Sequence, residues 1–300
     1  MFAAIVVGML ILDLGVFQRR AHFPSLKEAI AWSAVWIALA LLFDLFLWFK
    51  LGNEKALEFL AGYVVEEALS VDNIFVFIVI FAYFAVPPNL QHRVLFWGIL
   101  SAIVLRAIFI VVGAALIAKF HWILYIFGGF LIFTAIKLAF QPEAEVHPEK
   151  NPLIRFCRKI FPVTLTYDGP KFFVRKEGKR FITPLFLVLV MIETTDIAFA
   201  TDSIPAIFAI TRDPVIIYTS NIFAILGLRT LYFVLANFMK KFRYLKIGLS
   251  GVLGFIGVKM LIEPWMKIPI GYSLMIIFGL LIVSVIASVT ISENRSSVEK

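Results

Sequence analysis

A chain of 300 residues that is 61% hydrophobic, with 32 Phe and a mean hydropathy of +0.95, exceeds the roughly 45–50% apolar content of a soluble domain. Its apolar runs approach 20 residues without period-two alternation, which selects membrane-spanning helices and excludes a β-barrel. The net charge of +8 clusters in a few loops, where it is a topology signal and no footprint for nucleic acid, and the lone Cys157 excludes an internal disulfide and a thiolate metal cage.

The first apolar run starts at Met1 with no basic segment ahead of it and is followed by Arg19 and Arg20, so a retained span over 2–17 is expected rather than a leader. Further spans are predicted over 29–49, 56–85, 94–118, 121–140, 181–210, 215–238, 244–263 and 270–291, giving about nine transmembrane helices in an all-α integral membrane protein. The chain divides into two N-terminal spans (1–55), a three-helix unit (56–140), a basic loop (141–180), a second three-helix unit (181–263) and a last span with its tail (264–300). Lys and Arg crowd the loops after the first, third, fifth and seventh spans and the C-terminus. On the other side lie only Lys50, Lys55, Lys119, Arg212 and Lys267, so the N-terminus is expected outside and the C-terminus in the cytoplasm. Trp48, Trp122 and Trp265 near outer span ends, and Trp32 near an inner one, suit interfacial anchors. Within the basic loop, Phe172-Phe173-Val174-Arg175 and Arg180-Phe181-Ile182 flank a Glu177-Gly178 turn. That is either a short hairpin leading into the sixth span or a solvated linker.

Acidic residues inside the spans carry the chemistry. Glu66 is followed six positions later by Asp72 and then Asn73 and Ile74; Asp196 is followed six positions later by Asp202 and then Ser203 and Ile204. Acids in hydrocarbon cost about 2.5–3.5 kcal/mol each on insertion scales, so a pair used twice marks a functional site. On an unbroken helix, positions i and i+6 differ by about 240°, whereas Glu66 and Asn73 nearly coincide. For both acids of one copy to meet one ion, the helix has to unwind between them, with Ser70 in one copy and Thr201 and Pro205 in the other as aids.

Glu66, Asp72, Asn73, Asp196, Asp202 and Ser203 form the core ligand set, with Asp13, Asp44, Glu67, Glu193 and Asn221 as weaker members. Carboxylate, amide and hydroxyl oxygens suit Mg²⁺, Ca²⁺ or Mn²⁺ and argue against Zn²⁺ or Cu⁺; none of His22, His92, His121 and His147 falls in the motifs. Arg106 and Arg229 would repel a transported cation, so they are expected to form structural ion pairs with the acids.

The two halves also run in register. Arg106 matches Arg229, 123 positions on, and downstream Phe120, Gly129, Phe133 and Lys137 match Phe242, Gly251, Phe255 and Lys259, all at an offset of 122. Three spans per unit means that the second copy is threaded upside down, an inverted repeat of the kind secondary transporters use.

These residues resemble the TerC/Alx family of membrane proteins over nearly the whole chain. The likeness rests on Asp13-Leu14, Glu66-x5-Asp72-Asn73, Leu105-Arg106, Trp122-Ile123-Leu124-Tyr125-Ile126-Phe127-Gly128 and Phe172-Phe173-Val174-Arg175. It continues through Glu193-x2-Asp196-x5-Asp202-Ser203-Ile204-Pro205-Ala206-Ile207-Phe208-Ala209 and Ser220-Asn221-x-Phe223-Ala224-Ile225-Leu226-Gly227-Leu228-Arg229, and is strongest to the Alx branch. The resemblance implies manganese export across the bacterial inner membrane; the family name refers to tellurite resistance, a phenotype. Glu67 departs from the Alx-like pattern, which has Lys there.

The expected function is thus secondary transport of a divalent cation, Mn²⁺ first, with the ion as cargo and no cofactor; the bilayer and the ion are the expected partners. A Ca²⁺/H⁺-type exchanger uses the same ligands. A non-transporting scaffold in a stress-response complex gives no reason to bury matched acids in both repeats. An enzyme is not expected, because no nucleophile–base pair, phosphate loop or His cluster is present. The lopsided loop charges yield a first prediction: reporter fusions at Lys150 and at the C-terminus should both read cytoplasmic, and an external signal from either would reject the orientation.

Overall fold

The structure, a computed structural model, describes residues 25–120, 122–140, 148–176, 178–238 and 244–296. The expected span 2–17 with Asp13, together with His22, His121, His147, Glu177 and Phe242, lies outside them.

Helix α1 (Leu26–Leu51) starts at a capping box in which Ser25 Oγ accepts from the Glu28 amide and Glu28 accepts from the Ser25 amide. Gly52, at φ +91°, is the whole connection to α2 (Asn53–Tyr83), a backbone angle that only glycine adopts at little cost. Next come α3 (Pro88–Lys119), with Pro at its first turn, and α4 (Ile123–Phe140). The basic loop holds a short helix, α5 (Pro152–Ile160), and a two-stranded hairpin of β1 (Phe173–Lys176) and β2 (Lys179–Ile182), in register Phe173↔Ile182 to Lys176↔Lys179. The hairpin is therefore present, its turn made by Gly178 at φ +77°. Helices α6 (Pro184–Phe208), α7 (Pro214–Phe238), α8 (Leu245–Ile262) and α9 (Ile270–Ser296) complete the chain.

Among the described residues seven helices are long and apolar enough to cross a bilayer: all the long ones except α2, whose acids disqualify it by composition although it is one of the longest. The protein is an all-helical integral membrane protein. Its outer surface is apolar, as lipid demands: Leu42, Phe49, Val111, Phe133 and Val283 are all more than half exposed.

Helix α7 is the axis of the bundle. The membrane window of α7 is 83% buried, against 17% for α1 and 22% for α9, because α1, α2 and α3 all pack around it. Helix α2 packs mainly on α7, and α3 packs on α6 and α7; α2 also meets α6, and α4 packs on α8. Aromatic side chains fill the crossing of α1, α2 and α7, where Phe43, Phe59 and Phe223 form tilted and edge-on contacts at 4.9–5.8 Å.

At the centre of the α4–α8 contact the two backbones meet directly at a pair of glycines. A Cβ placed on Gly257 would lie 2.8 Å from the Gly128 carbonyl oxygen, and one on Gly128 would lie 3.1 Å from that of Gly257. Small residues allow this approach, which lets dispersion act along two backbones in a solvent that offers no hydrophobic drive. Ser250 Oγ adds a hydrogen bond to the Ala135 carbonyl at 2.7 Å. Gly257→Ala should therefore destabilise the fold by about 1–3 kcal/mol although alanine is the better helix former. Gly129→Ala, which meets nothing within 4 Å, should be neutral or slightly stabilising. Thermal unfolding of both variants in detergent checks this, and equal melting would reject the contact.

Candidate functional site

Helix α2 places Glu66, Ser70 and Asn73 on one face, at spacings of four and seven, and all three are at most 2% exposed. Helix α6 does the same with Asp196 and Ser203, which are 6% and 2% exposed. From α3, the equally buried Arg106 reaches between them. One guanidinium nitrogen, Nη1, forms an ion pair with Glu66 Oε1 and donates to Asn221 Oδ1 of α7 at 3.2 Å; Nη2 donates to Asp196 Oδ1 at 3.3 Å. Four helices thus meet on one cation. The first acid of each motif copy is its counter-ion.

Oxygens remain over. Glu66 Oε2, Asp196 Oδ2, Ser70 Oγ and Ser203 Oγ are buried and have no hydrogen-bond partner among the described residues, and neither has Asn221 Nδ2. Buried polar atoms without partners cost about 1–3 kcal/mol each, and these lie on the same helix faces as the two acids or on Asn221. A cavity with room for about one water opens beside them, lined by Phe77, Gly98, Ala102, Ile192 and Ile225, with Asp196 its only charged wall.

The second acids sit elsewhere. Asp72 and Asp202 are half-buried, on faces turned away from Glu66 and Asp196. Asp202 accepts a hydrogen bond from Thr134 Oγ1 of α4 at 3.0 Å and lies within electrostatic reach of Lys137; Asp72 lies within reach of Lys246 and of Asp202 itself. Glu66 therefore neighbours Asp196, and Asp72 neighbours Asp202, whereas the two acids on each helix diverge.

That arrangement corrects the expected unwinding. Helices α2 and α6 are continuous through the motifs. In a bilayer every freed backbone group needs a partner, and none is needed when the acids find theirs across the repeat. The Thr201 hydroxyl bonds back to the Ala198 carbonyl at 2.5 Å, inside its own helix, and Pro205 lies within a turn of the C-terminal end, where a missing amide costs one ladder bond.

Of the weaker candidates, Glu67 faces Trp36 of α1 and Gly227 of α7, with Tyr63 in electrostatic reach; its Oε2 and the Trp36 indole nitrogen are buried without hydrogen-bond partners among the described residues. Glu193 accepts from Ser101 of α3 near Gly98, and Asp44 is half-buried on α1. Arg229 is 2% exposed on α7, within electrostatic reach of His92. Among the described residues no three His, Cys, Asp or Glu side chains converge closely enough to hold a metal ion. Ser101, Thr134 and Lys246 escaped the sequence reading. Thr134 had a signal, since it stands one turn before the Lys137 that the repeat singles out.

A polytopic helical membrane protein with a charge cluster buried at the meeting of four helices is the class this architecture defines. The sequence model of the TerC integral membrane protein family matches residues 51–296, and the chain belongs to that family. It is 53% identical over 293 residues to an uncharacterized membrane protein of Myxococcus xanthus, covering 98% of this chain and 92% of the relative. It is 50% identical over 294 residues to a protein of Escherichia coli K12 named putative membrane-bound redox modulator Alx, covering 95% and 92%, and 48% identical over 303 residues to its Salmonella typhi namesake, covering 98% and 94%. No solved structure matches the chain.

Removing the guanidinium leaves two carboxylates buried and unpaired, so Arg106→Ala should cost about 3–5 kcal/mol of stability. Adding Glu66→Gln to that variant restores the original net charge of the cluster and should recover part of the loss. Thermal unfolding in detergent reads both, and a second substitution that makes matters worse would show that the ion pair is not what Arg106 supplies.

Proposed function

We infer that the chain is a secondary transporter that exports a divalent cation, Mn²⁺ first, across the bacterial inner membrane, with its N-terminus outside and its C-terminus in the cytoplasm. The ligands at the buried centre are the oxygens of Glu66, Asn73, Asp196 and Ser203, and Asp72 and Asp202 supply a second pair of oxygens further along the path. The observation that carries this is the buried centre in which two carboxylates from two helices share one guanidinium while carboxylate and hydroxyl oxygens remain unbonded. Hard oxygen donors of this kind suit Mn²⁺ or Ca²⁺.

The site in this conformation is partly neutralised by the protein itself, which leaves one negative charge over. Glu66 and Asp196 contribute two negative charges and Arg106 one positive charge, with Asn221 orienting the guanidinium. For a divalent ion to bind there, Arg106 has to turn aside, and when the ion leaves it returns. Such an exchange spares the empty carrier two naked acids in low dielectric, the state that would make its return slow. Asp72 and Asp202, half-buried with Lys137 and Lys246 nearby, form the second pair of acids on the ion's route.

The packing order of the helices supports inverted repeats. Exchanging α2, α3 and α4 with α6, α7 and α8 turns the α2–α7 contact into the α6–α3 contact, and it carries the α2–α6, α3–α7 and α4–α8 contacts into themselves. A twofold axis in the membrane plane has that property, and carriers of this design place cargo at the repeat interface.

Metal uptake into inverted membrane vesicles, tested ion by ion and expressed per folded molecule, examines the whole scheme. Asp72→Asn and Asp202→Asn should each abolish Mn²⁺ uptake at normal abundance, Glu66→Gln and Asp196→Asn should do so or nearly so, and Glu67→Gln should be mild because its side chain points about 100° away from Glu66. Full uptake in both Asp→Asn variants would end the paired-acid site.

A further inference from the structure

The basic loop contains a feature that ion transport does not use. Helix α5 has three faces. One is docked: Ile154 is completely buried in the cluster formed with Leu185 and Val188 of α6, and Cys157 packs against the same cluster. The second is apolar and uncovered, with Leu153, Phe156 and Ile160 at spacings of three and four and 45%, 60% and 51% exposed. The third carries Arg155, Arg158 and Lys159, all exposed. A separate segment adds to the uncovered apolar surface, since Leu165 is 99% exposed and Phe173 of the hairpin 54%.

The level of α5 relative to the membrane helices decides what meets the second face. Asn151, which caps α5 by accepting from the amides of Leu153 and Ile154, donates through Nδ2 to Met191 Sδ at 3.3 Å. Met191 stands seven residues into α6, about 10 Å from its start at the helical rise of 1.5 Å. Helix α5 therefore lies alongside the first turns of a membrane-spanning helix, and not beyond them. The segment is also pinned at that level, because Tyr167 donates to the Phe84 carbonyl at the end of α2 at 2.7 Å and Tyr83 donates to Glu149 at 2.9 Å.

An amphipathic helix at that depth, with Phe and Leu beside Arg and Lys, has the composition of an element lying in the plane of a membrane surface. We propose that α5 and the hairpin that follows it seat on the anionic phospholipids of the protein's own membrane. Phe156 and its apolar neighbours enter the boundary between headgroups and acyl chains, while Arg155, Arg158 and Lys159 meet the lipid phosphates. Charge complementarity selects lipid over a second copy of this chain, whose equivalent surface carries the same excess of Arg and Lys. Because Ile154 and Asn151 are docked on α6, the element ties the lipid surface to the helix that carries Asp196 and Asp202. The inference needs only the membrane architecture and stands apart from the identity of any cargo.

Cys157 is the only cysteine, so a single-site label is within reach. In the full chain with Cys157→Ser and Phe156→Cys, a nitroxide on residue 156 is read by power-saturation spin resonance, comparing oxygen, which concentrates in lipid, with a water-soluble nickel chelate. In vesicles containing phosphatidylglycerol the label should favour oxygen, and the combined change Arg155→Glu, Arg158→Glu and Lys159→Glu should raise its nickel accessibility several-fold. Raising the salt on the Phe156→Cys protein should produce the same outward shift, which keeps the test sound if the charge-reversed protein folds poorly. Nickel accessibility equal to that of an open aqueous loop in those vesicles would overturn the proposal. So would shielding indifferent to both charge and salt, or shielding accompanied by spin–spin broadening that grows with protein density, which would mark a second copy.

Discussion

A guanidinium and a carboxylate are each several kcal/mol worse off inside a bilayer than in water, and neither can be removed alone without stranding the other. Arg106, Glu66 and Asp196 are therefore a single structural decision made by three helices, with α7 adding Asn221 as a fourth. The requirement that these groups meet fixes the rotation of α2, α3 and α6 about their own axes. Once those rotations are set, the remaining faces follow. Phe59 and Phe77 of α2 turn inward with Glu66, the exposed strip of α3 through Val104, Ile108 and Val111 faces lipid, and α7 takes the centre.

Much of this was legible in the chain itself. The eight spans after the first were placed close to the described helices, since an apolar run of about 20 residues admits few alternatives. The hairpin was only half legible, since Phe172–Arg175 and Arg180–Ile182 on either side of Gly178 suited a solvated linker as well, and only the cross-strand pairing decides between them. Helix α5 was not: nine residues with Arg155, Arg158 and Lys159 among them resemble any charged loop, and only the buried Ile154 distinguishes it. The acids were found by their cost, and helix geometry alone gave the shared face of Glu66 and Asn73. Which acid meets which was not readable. Sequence proximity suggested Glu66 with Asp72, but the real neighbours are 130 positions apart and depend on how two helices cross. Ser101 and Thr134 were missed for the same reason, since a hydroxyl in an apolar helix usually bonds its own backbone and gains another role only when a carboxylate arrives from a different helix.

The backbone contact between Gly128 and Gly257 bears on motion. Packed side chains can switch between discrete arrangements by changing rotamers, so helices that meet through them slide or tilt at modest cost. Two main chains in van der Waals contact have no rotamers to change, and sliding one past the other brings a Cβ against a carbonyl within a single turn. The α4–α8 pair is in that sense a fulcrum. The two helices are held to move as one body, with the two glycines as its fixed point.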